Sequence, residues 1–247
     1  MFPQPRVLTA PNAGAFTLDG TRAHLVGEDR AALIDPGPDV ASHVRALARL
    51  ASGAREVIVL VTHAHADHAG AARRVADELG ARVAGPEDVS GVDEILSDAD
   101  RISTDAGSLV AVDTPGHTRH HLCFHWPEAR AVFVGDLLLG RGETTWVGEY
   151  PGCVADYLHS LARLAALRPQ VLFPAHGPPI DDPAAVLARY EAHRRARIRQ
   201  VEEALRERPD ADARELLDVV YPEPLPDRVR RAALLSVEAL VHHVQGR

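Results

Sequence analysis

The order of the predicted elements points to an α+β protein: two β-sheets laid face to face, with helices packed on the outside. Three observations lead there. Short apolar runs rich in Val, Ile and Leu recur through residues 1–180, bounded by Gly, Pro or Asp, and read as strands. Helical periodicities fall between them, so the order is β-rich, then mixed, then β-rich and mixed again. After Pro178-Pro179-Ile180-Asp181-Asp182-Pro183 the strand signal stops and only helical segments follow. That change predicts a main domain over 1–180 and a small helical domain over 181–247.

In chain order, residues 6–10 and 22–26 read as strands, separated by the turn signals Pro11-Asn12-Ala13-Gly14 and Asp19-Gly20. Ala31-Ala32-Leu33-Ile34 is a third strand, stopped by Asp35-Pro36-Gly37-Pro38. Val40, Val44, Leu47 and Leu50 recur at helical spacing, so 39–51 reads as a helix. Val57-Ile58-Val59-Leu60-Val61 is a strand, and the helix over 71–79 ends near Gly80. Val83 marks a further short strand. The polar, acidic stretch from Pro86 to Ala106 reads as an excursion over the rim of a cleft. Strands resume at 109–112, 121–126 and 131–134, a helix fits 153–167, and Val171-Leu172-Phe173 is the last strand. Beyond the boundary, 184–208 is a long helix entered through an Asp cap with Pro at an early position. Helices over 212–220 and 227–244 complete the chain.

Composition narrows the function classes. A chain of 247 residues with 46% hydrophobic content can bury its own core, which must be aliphatic because only 4% is aromatic. The net charge of −8 argues against a surface given over to nucleic acid. No Lys is present, so all 27 cationic side chains are Arg. Cys123 and Cys153 stand alone, make neither a disulfide framework nor a Cys-based metal site, and are expected to be buried and reduced. Met1-Phe2-Pro3-Gln4-Pro5-Arg6 lacks an apolar core of a signal peptide, and no apolar run approaches membrane-spanning length. The expected setting is the cytoplasm, without membrane contact.

Chemistry is concentrated where strands end. Thr62-His63-Ala64-His65-Ala66-Asp67-His68-Ala69-Gly70 follows the strand at 57–61. Alternate residues of an extended segment face one side, so His63 and His65 can grip one ion. Asp67 and His68 lie past the bend and can serve a second, while the alanines leave the ligands uncrowded. Other segments repeat the arrangement, each with a candidate ligand after an apolar run: Asp35, His117 in Thr114-Pro115-Gly116-His117-Thr118, Asp136 after Gly135, and His176 in Pro174-Ala175-His176-Gly177. Side chains at successive strand ends converge on one sheet edge, where rigid elements can support a site. Asp35 reads as a structural residue or an orienter of a ligand rather than a ligand.

In this order over residues 30–177, the motifs resemble those of the metallo-β-lactamase superfamily. The resemblance implies a four-layer αβ/βα sandwich with two metal ions in a cleft at one edge. It places His63, His65 and His117 on one ion, Asp67, His68 and His176 on the other, and Asp136 between them. The donor set suits two zinc ions, with iron or manganese as alternatives. Asp67 and Asp136 are then the catalytic candidates. Two divalent ions lower the pKa of a shared water towards ~7, and the resulting hydroxide, oriented by Asp67, attacks a carbonyl or phosphorus centre.

A bridging Asp136 is the pattern of the thioesterases, lactonases and phosphodiesterases rather than of true β-lactamases. The stretches Gly135–Gly142, Gly177–Ile180 and Pro11–Thr21, with Tyr190-Glu191-Ala192-His193-Arg194, look like the β-lactamase-like protein 2 group. That group includes an endoribonuclease and carries a winged-helix-like C-terminal domain. Here the last helix stops at Gln245-Gly246-Arg247, so the expected C-terminal domain is helical and lacks the wing. The chain departs from the group at Arg22-Ala23-His24-Leu25 and at Arg119-His120-His121, both beside the cleft.

Arg22, His120, Arg141 and Arg195 are the candidate substrate-binding residues. Residues 181–247 hold 12 Arg against 13 Asp plus Glu, so the tail offers no positive track for RNA. The expected function is hydrolysis of a small ester, thioester or lactone by a dinuclear zinc centre. The alternatives are a phosphodiesterase or endoribonuclease acting on single-stranded RNA, and a metal-binding scaffold without turnover. An apolar slot opposite the metals favours the first; an arginine-lined groove favours the second.

Overall fold

The computed structural model describes residues 3–246; Met1, Phe2 and Arg247, on which the readings of the chain's two ends partly rest, lie outside the described residues. Two sheets form the centre. The first has six strands in the order β1 (Arg6–Thr9), β2 (Arg22–Val26), β3 (Arg30–Ile34), β4 (Glu56–Leu60), β5 (Arg82–Gly85) and β6 (Glu94–Ile95). The second runs β11 (Val171–Pro174), β10 (Ala131–Gly135), β9 (Leu122–Trp126), β8 (Gly107–Asp113) and β7 (Arg101–Thr104). Helices α1 (Ala41–Ala51) and α3 (Ala72–Leu79) cover one sheet, and α4 (Cys153–Ala166) covers the other.

Strand alternation builds the layers. In β3, Ala31 and Leu33 pack under α1 and α3, whereas Ala32 and Ile34 join the core between the sheets. In β10, Ala131 and Phe133 face that same inner core, and Val132 and Val134 face α4. Strands buried on both faces read as continuous apolar runs, which is why 57–61 and 131–134 show no polar alternation. The observed order helix, sheet, sheet, helix is the predicted αβ/βα sandwich.

The stretch from Pro86 to Ala106 is a correction. It carries β6 and β7, which form outer edges of the first and second sheets, so it carries the chain from one sheet to the other. Its strand signal is faint because edge strands expose one face: Arg101 and Ser103 point to solvent while Ile102 and Thr104 are buried. The helix expected from 71 is also preceded by a single turn, α2 (Ala66–Ala69), which lifts Asp67 and His68 off the strand direction.

Beyond residue 180 lie α5 (Pro183–Glu207), α6 (Ala213–Val220) and α7 (Asp227–Val244), with no strand among the described residues. Asp182 caps α5 by accepting from the Ala185 amide, and Asp212 and Glu215 form a capping box on α6. Tyr190 and Val201 of α5, Leu216 of α6 and Leu240 of α7 share one apolar cluster with Tyr157 of α4 and Val132 of β10. The helical tail therefore packs against α4, on the outer side of the second sheet. Among the described residues no helix is long and apolar enough to cross a membrane.

Candidate metal centre

The site forms where β4, β8, β10 and β11 end. After β4 the chain is held in place by Asp35, whose carboxylate accepts from the Thr62 amide at 2.8 Å and the Thr62 hydroxyl at 2.9 Å. The Leu122 amide donates to the Thr62 carbonyl at 2.8 Å, tying the two sheets together beside His63. Gly116 allows His117 to enter: its φ is +136°, and a Cβ there would stand 2.6 Å from Tyr157 on α4. Gly135 does the same for Asp136, since a Cβ would meet the His121 ring and the Thr62 hydroxyl at 2.7 Å.

The predicted ligands fall into two groups, His63, His65, His117 and Asp136, and then Asp67, His68 and His176. Within the first, His65 Nδ1 lies 3.0 Å from His63 Nε2 and 3.2 Å from His117 Nε2, and His117 Nε2 is 3.6 Å from Asp136 Oδ2. Around the second, Asp67 Oδ2 lies 3.7 Å from His68 Nε2 and 3.3 Å from His176 Nε2. Asp136 Oδ1 lies 3.4 Å from His68 Nε2 and 3.3 Å from His176 Nε2. The two oxygens of Asp136 thus face different groups.

These distances test whether a metal fits. Ligands bonded to zinc at ~2.0–2.1 Å with tetrahedral angles stand about 3.3 Å apart, which is the spacing seen. His68 Nε2, His176 Nε2 and Asp136 Oδ1 are also buried without a hydrogen-bond partner. Each such orphan costs about 1–3 kcal/mol, and a cation placed among them satisfies all three at once. The residues fit divalent metal ions.

The remaining ring nitrogens are held from behind. His68 Nδ1 donates to Asp35 at 3.0 Å, His117 Nδ1 to the Trp146 carbonyl at 2.9 Å, and His176 Nδ1 to the Gly20 carbonyl at 3.3 Å. His63 Nδ1 sits 3.0 Å from the Thr62 hydroxyl, whose own proton goes to Asp35. These bonds set the tautomers that aim Nε2 lone pairs inward. Burial pushes His117 down to about 4, keeping it neutral. Burial alone would raise the Asp136 carboxyl, but His68 and His176 opposite outweigh it and hold it well below the usual range.

The four candidate substrate residues lie away from the two ligand groups. Arg22 pairs with Asp19 at 2.7 Å, and Arg141 is exposed beside the same carboxylate. His120 stands 3.4 Å from Glu87 over a separate crevice. Arg195 pairs with Glu191 one helical turn away at 2.8 Å, on the exposed face of α5. None of the four lines the cavity that opens on His65, Asp67, His117 and Asp136.

That cavity, of about 520 Å³, is walled by Phe16, Leu139, Trp146 and residues of the C-terminal helices. Its buried cation is Arg194, 3% exposed, which lies over the Tyr157 ring and donates to the Thr145 carbonyl at 3.1 Å. Thr145 in turn donates to the Asp136 carbonyl at 2.8 Å. A second unforeseen support is His121, buried, whose Nε2 accepts from the Asp136 amide at 3.3 Å. The signal for Arg194 was its spacing of four from the buried Tyr190; a charge on a polar helix hides that register.

Comparison with known proteins agrees with this geometry. The model of the metallo-beta-lactamase superfamily matches residues 17–92 and 84–176. A beta-lactamase-like protein 2 homolog of Caenorhabditis elegans is 31% identical over 242 residues, covering 93% of this chain and 80% of the relative. An atrochrysone carboxyl ACP thioesterase of Aspergillus chevalieri is 35% identical over 211 residues, covering 82% of this chain and 67% of the relative. Among solved structures, a metallo-beta-lactamase family protein of Thermus thermophilus superposes with a TM-score of 0.81 at 22% identity, over 99% of this chain and 94% of that one. The strand-end ligand groups, the αβ/βα sandwich and these matches together establish that the chain belongs to the metallo-beta-lactamase superfamily.

Proposed function

We propose that this superfamily hydrolase is a dinuclear zinc enzyme acting on a small ester, thioester or lactone. The observation that carries the reading is Asp136, whose two oxygens face separate ligand groups at the floor of an apolar cavity. His63, His65 and His117 would hold one ion and Asp67, His68 and His176 the other, with Asp136 shared. When bound, the cations supply an acidified water and polarise the scissile carbonyl.

The chain's residues do the rest. Asp67, whose side chain is 30% exposed, is the carboxylate most open to the cavity, so it orients the attacking water and accepts its proton. Trp146, with ring centroids 6.4 Å from His65 and 5.8 Å from His117, shields the centre from bulk water. Residues 1–180 form the catalytic domain in this reading, and the helices of 181–247 close its cavity. The thioesterase among the relatives supports an acyl substrate. A phosphodiesterase or ribonuclease needs a basic track, and the cavity walls are mainly apolar. An Asp136 shared between the two groups, as its two oxygens allow, would match the thioesterase and lactonase pattern rather than that of true β-lactamases.

The test is Asp136→Ala, with metal content and turnover measured on thioester, lactone, bis(p-nitrophenyl) phosphate and single-stranded RNA. Loss of several kcal/mol of charge stabilisation predicts a fall of about 100-fold or more in kcat/KM, with fewer ions bound. An Asp136→Ala chain that keeps two ions and full activity overturns the assignment. Wild-type protein that holds less than one ion per chain, with no gain on adding zinc or manganese, points to a scaffold.

A further inference from the structure

The cavity above the candidate metal centre has a wall that the superfamily core does not supply. Val229, Ala232, Ala233 and Ser236 of α7 line it, at the i, i+3, i+4 and i+7 spacing of one helix face. Leu225, in the segment before α7, extends that wall, and Leu139 and Phe16 stand among the other lining residues. Phe16 is 51% exposed, a large apolar ring left uncovered beside a reaction floor. Trp146 joins floor to wall: its rings neighbour His65 and His117, and its Nε1 donates to the Ala232 carbonyl at 3.1 Å.

The polar groups of this cavity are largely committed. Asp67, Asp136, His65 and His117 belong to the candidate centre, and Arg194 donates through its terminal nitrogen to the Thr145 carbonyl, leaving its buried Nε without a partner. What remains for a ligand beyond the floor is mainly aliphatic and aromatic surface, with the hydroxyl-bearing Thr144, Tyr221 and Ser236 and the exposed Arg231 also among the lining residues. The volume, about 520 Å³, lies within the ~300–1,000 Å³ usual for small-molecule sites.

We propose that this cavity is the acyl subsite and takes a medium-length aliphatic acyl chain, with α7 at Ala232 and Ala233 setting the length it accepts. The proposal rests on the hydrolase reading for its direction: the carbonyl carbon sits over Asp67 and Asp136, and the chain runs from there against α7. A polar leaving group finds few free donors or acceptors along this wall, so it exits towards solvent. The C-terminal helix is then a specificity element, which accounts for its small residues facing the cavity.

The experiment uses the full zinc-loaded chain and two p-nitrophenyl and alkyl ester series, one varied on the acyl side from acetate to decanoate and one on the alcohol side. Each buried methylene is expected to raise kcat/KM about fourfold until the chain reaches α7, on the acyl series only. Ala232→Phe should lower the octanoate-to-acetate ratio at least tenfold. Val229→Ala, which only removes atoms, should move the optimum to longer chains, so a folding failure of the first variant leaves the test intact.

A second measurement separates this subsite from the hydrolase reading. Binding of 2-decanone to metal-free protein, followed by Trp146 fluorescence, should be tighter than that of 2-butanone and should weaken in Ala232→Phe. Length-dependent ketone binding supports the subsite even where no ester is turned over. A flat acyl series, a dependence on the alcohol chain instead, or ketone binding indifferent to chain length overturns it.

Discussion

Asp35→Asn probes how far the candidate centre depends on a residue that touches no substrate. Asp35 is 2% exposed and sits at φ +49°, a left-handed conformation that Asn adopts as readily as Asp, so the backbone is undisturbed. One oxygen accepts from the Thr62 amide at 2.8 Å; the other accepts from the Thr62 hydroxyl at 2.9 Å and from His68 Nδ1 at 3.0 Å. An amide has one acceptor oxygen in place of two. If the carboxamide oxygen stays on the Thr62 amide, its NH2 faces His68 Nδ1, which must then accept. The His68 proton moves to Nε2 and blocks the lone pair aimed at Asp67, Asp136 and His176.

If the amide flips instead, its NH2 opposes the Thr62 N–H and a buried bond is lost, at about 1–3 kcal/mol. The unflipped amide is expected to cost about 10–100-fold in metal affinity, the usual effect of removing the partner behind a metal-bound histidine, whereas the flipped one leaves His68 its acceptor and lowers the Tm of the metal-free protein instead. Competition with a chromophoric chelator during zinc titration reads it directly, with the second ion weakened more than the first. Thermal unfolding of the metal-free protein serves as the control for folding. Two zinc ions bound as tightly as in wild type, with an unchanged Tm of the metal-free protein, would refute the argument that Asp35 sets the His68 tautomer.

Two further outcomes are expected. His24 is buried between Phe133 and Phe173, and burial pushes its pKa down to about 4 from the ordinary 6.5. The folded state therefore binds fewer protons than the unfolded chain, and stability is lost as pH falls from 6.5 towards 4, by up to about 3 kcal/mol. His24→Phe should flatten the dependence of Tm on pH across that window by comparison with wild type; an unchanged slope counts against it. Cys123 and Cys153 are both fully buried, and burial pushes the Cys123 thiol up to about 12. Neither should react with a thiol reagent until the chain unfolds, and rapid native labelling would show that the α4 face opens.

Local sequence carried the sandwich and its candidate metal centre. The strand-end motifs needed only their order, because a buried strand that stops at the sheet edge delivers whatever residue follows it to that edge. His63, His65, Asp67, His68, His117, Asp136 and His176 all came together for that reason. Asp35 was legible as an orienter by the same logic, since its strand β3 lies directly beside β4. The edges β6 and β7 are faint in the sequence because β6 exposes both of its residues and β7 every other one, so neither carries an apolar run.

The walls of the cavity depended on contacts distant in sequence. Nothing in residues 193–199 distinguishes Arg194 from Arg195: adjacent helix positions point about 100° apart, and only the docking of α5 buries one and leaves the other with Glu191. Arg22, His120 and Arg141 stand close to the motifs in the chain, yet each turns to a local carboxylate or to solvent. The apolar wall joins Phe16, Trp146 and α7 across more than two hundred residues, and no periodicity within any one segment encodes that meeting. The candidate metal centre was decided by residues that a strand must place at its end. The shape of the cavity above it was decided by how the C-terminal helices pack over them.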